Sequence, residues 1–379
     1  MKKRLFTPGP TPIPEDIMLA MAKPIIHHRN PEFKEILKDV NENLKYLFQT
    51  SQPVFTLTSS GTGAMESSVC NILNEGEKAI YVNGGKFGAR WGGLINTFGG
   101  IPIEIKKEWG TPPDADEIIK QIKNHPDTKA VYLTHSETAS GTVTAVKEIA
   151  KKVREISEAL IVVDGITSIG AMEMRMDEWG VDVVLTGSQK GLMIPPGLAF
   201  IALSERAWKK VEITKNKNFY FSLQRTKKAF DSGDTPWTPA ITLVIGLNEA
   251  LKMIHAEGIE NVWARHSKLA EGIRVGCKAL GLELLSKNPS NAITAVYVPE
   301  GIDFQKFNDA LKYDFGVTVA GGQDHLKGKI FRISHLGYYD EIDMVGMISA
   351  LEMTLTKIGH KYIPGSGVRA IQNYFNQHV

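Results

Sequence analysis

Between residues 54 and 203 the chain repeats one pattern. A short run rich in Val, Ile, Leu and aromatic residues leads into a turn of small residues, and the turn into a stretch with helical periodicity. Seven such runs are predicted as strands: 54–58, 79–82, 101–105, 130–134, 161–163, 181–185 and 198–203. Between them, 64–73, 90–98, 115–123 and 146–157 place apolar residues three and four apart, the spacing of a helix face. The strand runs are apolar on both faces, so each must be covered from two sides. That requirement predicts an α/β fold, a mostly parallel seven-stranded sheet between layers of helices. Ligands on such sheets bind beyond the carboxyl ends of the strands. Functional side chains are therefore expected in the loops that follow strands.

The flanks read differently. Pro8, Pro10, Pro12 and Pro14 forbid a helix or a central strand, which predicts an extended arm over 1–15. Asn30-Pro31 reads as an N-cap and first helical residue, and Phe33, Ile36, Leu37, Val40, Leu44 and Leu47 form one apolar stripe. After Ser204 the alternation stops. Helices over 242–256 and 259–280, a strand over 294–298, a helix over 304–313, a strand over 329–333 and a helix over 341–354 predict a smaller α+β C-terminal domain. The expected division is an arm at 1–15, a large domain at 16–257 and a small one at 258–379.

Composition narrows the function classes. Cys70 and Cys277 are the chain's two cysteines, too few for a disulfide framework or a four-thiolate zinc site. Both fall in helix-like segments, which reads as buried thiols in a reducing compartment. The formal net charge of +2 gives no overall attraction to nucleic acid or anionic membrane. No apolar run reaches membrane-span length, and residues 5–10 are no signal-peptide core. A cytoplasmic protein is expected, with no metal, nucleic-acid or membrane partner.

Four post-strand loops carry chemistry. Ser59-Ser60-Gly61-Thr62-Gly63 lies between a strand and a helix, where small residues let backbone N–H groups approach an anion; the alternative is a tight turn. It is neither a Walker loop nor a GxGxxG fingerprint. His135-Ser136-Glu137-Thr138 follows the strand at 130–134. Asp164 ends the run Ile161-Val162-Val163 and reads as a carboxylate facing the crevice or as a structural hydrogen-bond group. Ser188-Gln189-Lys190-Gly191 follows the run at 181–185, although a lysine alone is most often a surface charge. Together they place a phosphate cradle, an acid and a lysine on one rim. Pyridoxal phosphate needs those three groups: a Schiff-base lysine, a carboxylate against the pyridinium nitrogen and a phosphate site. The lysine must also act as a base, which suits a partly desolvated amine.

The order of motifs along the chain resembles class V (fold-type I) pyridoxal-phosphate-dependent aminotransferases. The branch is the alanine–glyoxylate, serine–glyoxylate and serine–pyruvate one, and the group labelled soluble hydrogenase small subunit is also similar. The resemblance rests on residues 6–11 (FTPGPT), 60–66 (SGTGAME), 133–138 (LTHSET), Val163-Asp164, 187–190 (GSQK), 235–239 (TPWTP) and Arg332-Ile333-Ser334. It implies that Lys190 carries the cofactor and shuttles the proton, and that Asp164 pairs with the ring nitrogen. Ser60, Gly61 and Thr62 would bind the phosphate with Gln189, and Thr138 would lie near the ring hydroxyl. Phe87 stands where the family stacks an aromatic on the ring, keeping the π-face without a polar handle. Thr235 and Thr238 would reach the phosphate of the neighbouring subunit of a homodimer; the family often has Tyr at the first of these. Arg332 would clamp the substrate carboxylate, and the backbone around Gly9 would close over the substrate.

Plainer readings accompany several of these residues. Arg332 fits a surface ion pair, Phe87 a core position, and Thr238 a helix cap. His27-His28-Arg29 looks like a ligand cluster but fits a structural loop before a helix. The activity implied is transfer of the amino group of alanine or serine to glyoxylate or pyruvate. The alternatives are another donor (aspartate, phosphoserine or 2-aminoethylphosphonate), a cysteine desulfurase, or a non-catalytic hydrogenase-associated subunit. A desulfurase needs a nucleophilic cysteine on a mobile loop, and neither Cys70 nor Cys277 stands on one.

Overall fold

A computed structural model describes residues 1–378. Its main sheet has seven strands: β1 (Val54–Leu57), β2 (Lys78–Asn83), β3 (Ile101–Lys106), β4 (Ala130–Thr134), β5 (Leu160–Asp164), β6 (Val183–Gly187) and β7 (Ala199–Leu203). They lie in the order β1-β7-β6-β5-β4-β2-β3. In this sheet β7 alone runs opposite to the other six strands. The period of two along each strand sends alternate side chains to opposite layers. Ile161 and Val163 join one core with Phe33, Val40, Leu44 and Leu247, while Val162 joins the other with Met65, Val69 and Trp91. The helices Pro31–Phe48 and Ile241–Glu257 cover the first face. The helices Gly61–Ile72 and Lys86–Thr97 contribute to the second.

The C-terminal unit holds a three-stranded antiparallel sheet of β8 (Ile293–Tyr297), β9 (Ala320–Gly321) and β10 (Ile330–Ser334), in the order β8-β10-β9. The helices Ile259–Ala279, Glu341–Lys357 and Ser366–Gln377 pack around a core that includes Ile273, Cys277, Phe331 and Ile333. Phe6 of the arm belongs to that core and stacks on Tyr339. Arg4–Leu5 pairs in parallel with Val317–Thr318, and Ser334 N–H donates to the Phe6 carbonyl at 2.9 Å. The extended arm is therefore fastened to the C-terminal unit, and it ends where a helix begins at Glu15.

Three expectations need correction. The sequence pattern assigns no element between Ser204 and residue 242, whereas Glu205–Ile213 and Leu223–Asp231 are helical, with Ser204 and Ser222 side chains accepting N–H bonds at their starts. Each buries few apolar residues, so the periodic signal is faint. The helix expected from 90 starts at Lys86, because Gly88, Gly92 and Gly93 hide its pattern. The helix expected over 304–313 widens to a π-turn at Ala310–Asp314. The N-cap at Asn30 with Pro31 next to it stands as read.

Two histidines of the C-terminal half are fully buried. Gly337 N–H donates to His266 Nε2 at 2.9 Å, and His335 Nε2 lies 3.0 Å from Thr294 Oγ1. Burial first, then the nearby arginines, lowers His266 to about 3 and holds His335 well below its ordinary value. In the unfolded chain both titrate near 6.5. Above that pH neither state is protonated and the stability is intact. Below it the unfolded chain takes up protons that the folded one refuses. Stability should fall by about 1.4 kcal/mol per pH unit for each histidine as the pH drops below 6.5. Urea midpoints from pH 7.5 to 4.5 test this; a flat midpoint would rule it out.

Candidate active site

The cradle forms first. Ser60 is the N-cap of Gly61–Ile72, with no side-chain cap bond, and its carbonyl accepts the Gly63 N–H at 2.8 Å. Gly61, Thr62 and Gly63 are thus the helix's first turn rather than a loop before it. A Cβ on Gly61 would lie 2.5 Å from Ile166, and one on Gly63 would lie 2.8 Å from Phe221. Only glycine lets this turn sit so close to its neighbours, leaving N–H groups at a helix start. Gln189 stands near it: a Cβ on Gly187 would touch both Gln189 Oε1 and Gly61 N. The Gln189 Oε1 atom is buried and has no hydrogen-bond partner among the described residues.

Asp164 ends β5, in register with Thr134 of β4 and Leu185 of β6. It is 3% exposed and accepts the Ile166 N–H at 2.8 Å. Burial raises its carboxyl to about 7, Glu137 adds to the rise, and Arg90 and Lys190 oppose it. Lys190 lies three residues past β6 and is buried. Its Nζ donates to the Pro8 carbonyl at 2.7 Å. Burial lowers its ammonium to about 8, helped by the positive Arg332. Gly9 covers this amine: at φ +155° a Cβ there would meet Lys190 Nζ at 2.7 Å. The arm thus delivers Pro8 and Gly9 onto the lysine.

Arg332 sits in the middle of β10 and is 6% exposed. Phe331 and Ile333 turn into the C-terminal core, so Arg332 faces the other way, toward the large sheet. Its fork donates to the Gly321 carbonyl at 2.7 and 3.1 Å and to the Thr138 carbonyl at 2.9 Å. Both acceptors are neutral, and burial lowers the guanidinium to about 10. Thr138 is buried and pairs its hydroxyl with Thr167 at 2.6 Å. Phe87 is half-buried in the first turn of Lys86–Thr97, with the Arg90 guanidinium 5.1 Å from its ring centroid. Arg90 also donates to Thr62 Oγ1 at 2.8 Å.

Lys190, Asp164 and Arg332 thus lie within electrostatic reach of one another, with Gly9 against Lys190 and the Thr138 carbonyl under Arg332, and Phe87 and the cradle are joined to each other through Arg90. The Thr235 and Thr238 side chains make no such contact. Thr235 Oγ1 donates to the Trp237 carbonyl at 2.8 Å, Thr238 is exposed, and the following helix starts at Ile241 behind Ala240, so Thr238 is not its cap. His27 and His28 stack at 4.4 Å in a turn before Pro31–Phe48. Sequence reasoning missed two residues here. Arg90 is hidden with its helix start. Glu137 bonds to backbone N–H groups of a distant segment, which no sequence pattern reveals.

The cysteines bear on the alternatives. Both are buried and free, and burial pushes each thiol up to about 12. Neither is the reactive thiolate a desulfurase needs.

Known proteins resemble the chain along its whole length. The family model for aminotransferase class-V matches residues 5–345. Serine–glyoxylate aminotransferase of Hyphomicrobium methylovorum is 39% identical, covering 99% of this chain and 95% of that one. A Synechococcus protein named soluble hydrogenase, small subunit, is 41% identical over 97% of both chains. The crystal structure of ureidoglycine–glyoxylate aminotransferase from Bacillus subtilis superposes with a TM-score of 0.94 at 27% identity, covering 99% of this chain and 98% of that one. The chain belongs to the class V aminotransferase family and is a transaminase of the α/β fold-type I architecture.

Proposed function

We propose that this transaminase uses pyridoxal 5'-phosphate to move the amino group of a small amino acid, serine or alanine, to a small 2-oxo acid, glyoxylate or pyruvate. The observation that carries the reading is Arg332. A buried guanidinium whose hydrogen bonds all go to neutral carbonyls has no ion-pair partner among the described residues, only the more distant field of Glu137, and a carboxylate is the partner that suits its fork. Both relatives with aminotransferase names take glyoxylate as a partner substrate by those names, which supports the acceptor.

The residues present fit the cofactor. The N–H groups of Gly61 and Thr62 at the helix start would form a cradle for a phosphate, which Ser60 and Gln189 would join. Asp164 would hold the ring nitrogen, Thr138 the ring hydroxyl, and Phe87 the ring face. Bound, the group would supply an aldehyde that joins to amines and a ring that draws electrons from the substrate's Cα. Asp164 sits in the desolvated wall where a cation is its natural partner. Arg332 orients the substrate by its carboxylate, which sets Cα toward Lys190. Lys190 Nζ takes the α-proton and returns it, work that suits an amine lowered to about 8. Gly9 and Pro8 keep water from that nitrogen. The same residues run the second half in reverse, with the oxo acid's carboxylate on Arg332.

Thr235 and Thr238 are proposed to serve the neighbouring subunit's phosphate in a homodimer. Exposed Phe219 and Tyr220 stack with Trp237 beside them, a surface suited to burial against a second copy. The working division remains arm 1–15, large domain 16–257 and small domain 258–379. No helix of the described residues is long and apolar enough to cross a membrane; a cytoplasmic setting is proposed from the free thiols. A non-catalytic role in hydrogenase assembly fits poorly, because burying an amine, a carboxylate and an unpaired guanidinium costs stability without structural return.

Half-reaction spectra test the substrate. The holoenzyme is mixed in turn with serine, alanine, aspartate and 2-aminoethylphosphonate, and loss of the visible cofactor band is followed. Serine or alanine should convert it fastest. Faster conversion by aspartate or the phosphonate would reassign the donor.

A further inference from the structure

Glu137 has no role in the mechanism above, although it lies in its midst. It is 5% exposed, and its partners are backbone N–H groups rather than cations. Oε2 accepts from Gly88 at 2.8 Å and from Phe87 at 3.2 Å, and Oε1 accepts from Ala139 at 3.0 Å. The first two donors belong to the first turn of Lys86–Thr97, and the third to the turn after Thr138. A helix start offers unpaired N–H groups and a favourable dipole for such a carboxylate.

The fit is close from the other side as well. A Cβ on Gly85 would stand 2.3 Å from Glu137 Cγ and Cδ, so the chain passes directly against the carboxylate. One carboxylate therefore joins two segments with different tasks. One carries Phe87, and through Arg90 reaches Thr62 in the cradle. The other carries Thr138, whose carbonyl receives the Arg332 fork. Strands β2 and β4, which feed these segments, are neighbours in the sheet. Sheet pairing fixes the strands, but not the loops beyond their ends.

We propose that Glu137 is a positioning residue for transamination: it sets the spacing between the ring-stacking side chain with its cradle and the loop that seats the carboxylate clamp. The proposal rests on the cofactor reading above. It differs from a purely structural staple in what it controls. A staple contributes to folding alone. A positioning residue also sets the orientation of the bound cofactor and the approach of the substrate.

The test uses the holoenzyme and three variants, Glu137→Gln, Glu137→Asp and Gly85→Ala. The amide turns N–H groups toward N–H donors, the shorter acid draws the carboxylate back, and the added methyl pushes it from behind. Circular dichroism in the visible band, scaled to bound cofactor, reports how the ring is held. Steady-state kinetics then separates KM from kcat. The visible signal should fall to about half or less, and kcat should fall about a hundredfold, as for a misplacement of roughly 1 Å. KM for the amino acid should rise about tenfold as the Thr138 carbonyl moves under Arg332. Variants that lose only thermal stability, with visible dichroism, KM and kcat unchanged, overturn the proposal. Should Glu137→Gln not fold, Glu137→Asp and Gly85→Ala carry the same readouts. A wild-type enzyme that forms no visible band with pyridoxal phosphate would instead overturn the cofactor reading beneath it.

Discussion

Replacing Lys190 with alanine should reduce turnover by about a thousandfold or more, the usual worth of a positioned proton-transfer group. The variant should still bind pyridoxal phosphate, because the cradle, Asp164 and Phe87 do not depend on the amine. Its visible band should differ from that of the wild type, since no lysine is joined to the aldehyde. A small primary amine added to the buffer should restore part of the rate. The rescue matters, because a merely misfolded variant would not respond to it. Wild-type turnover in Lys190→Ala would end the assignment.

The same lysine carries a pH signature. Its folded value is about 8, lowered chiefly by burial, against about 10.4 for a free lysine. The neutral amine, which attacks the aldehyde, gains about tenfold per pH unit up to that value and then saturates. Capture of pyridoxal phosphate by the cofactor-free enzyme should therefore accelerate between pH 6 and 8 and level off above. A rise continuing past pH 9.5 would mean that the pocket does not desolvate Lys190.

Which parts of this site can be read in the sequence follows from the kind of contact each residue makes. Asp164 closes an apolar run, and burial of such a run announces that its last residue is buried too, whereas Lys190 stands in the loop beyond its run and is legible from its place on the same rim. Ala130–Thr134 is legible to the residue because it is apolar on both faces and bounded by polar neighbours. Helix starts are less legible. Lys86–Thr97 begins among glycines that packing against Val82 and Tyr81 requires, so local propensity and tertiary demand disagree and the latter prevails. Glu137 is illegible for a different reason. Two of its partners are backbone N–H groups some fifty residues away, and backbone donors carry no side-chain signature. The fastening of the arm to the C-terminal unit is likewise a pairing of Arg4–Leu5 with Val317–Thr318 that two-residue strands cannot advertise.

Arg332→Gln should lower kcat/KM for serine or alanine by about a hundred- to a thousandfold, the range for truncating one member of a buried charge pair. Part of any loss will come from folding. The Gly321 and Thr138 carbonyls are left with a neutral donor, and leaving a buried acceptor unsatisfied destabilises by about 1–3 kcal/mol. A ratio within one variant removes that contribution. The wild type should bind alanine more tightly than ethylamine, which has the same amine and no carboxylate, by the full worth of the clamp; binding rather than turnover is compared because the carboxylate also acidifies the α-carbon. In Arg332→Gln the preference should collapse toward unity, because both amines meet the same damaged protein. Arg332→Lys should recover only part of it: the charge remains, but one ammonium cannot hold two carbonyls and a carboxylate in the plane of a fork. If Arg332→Gln kept the wild-type preference for alanine, the guanidinium would be a structural tie between Thr138 and Gly321, and the substrate carboxylate would have to bind elsewhere on the rim. Arg90 would then be the next cation to test, because it is already placed between Phe87 and Thr62.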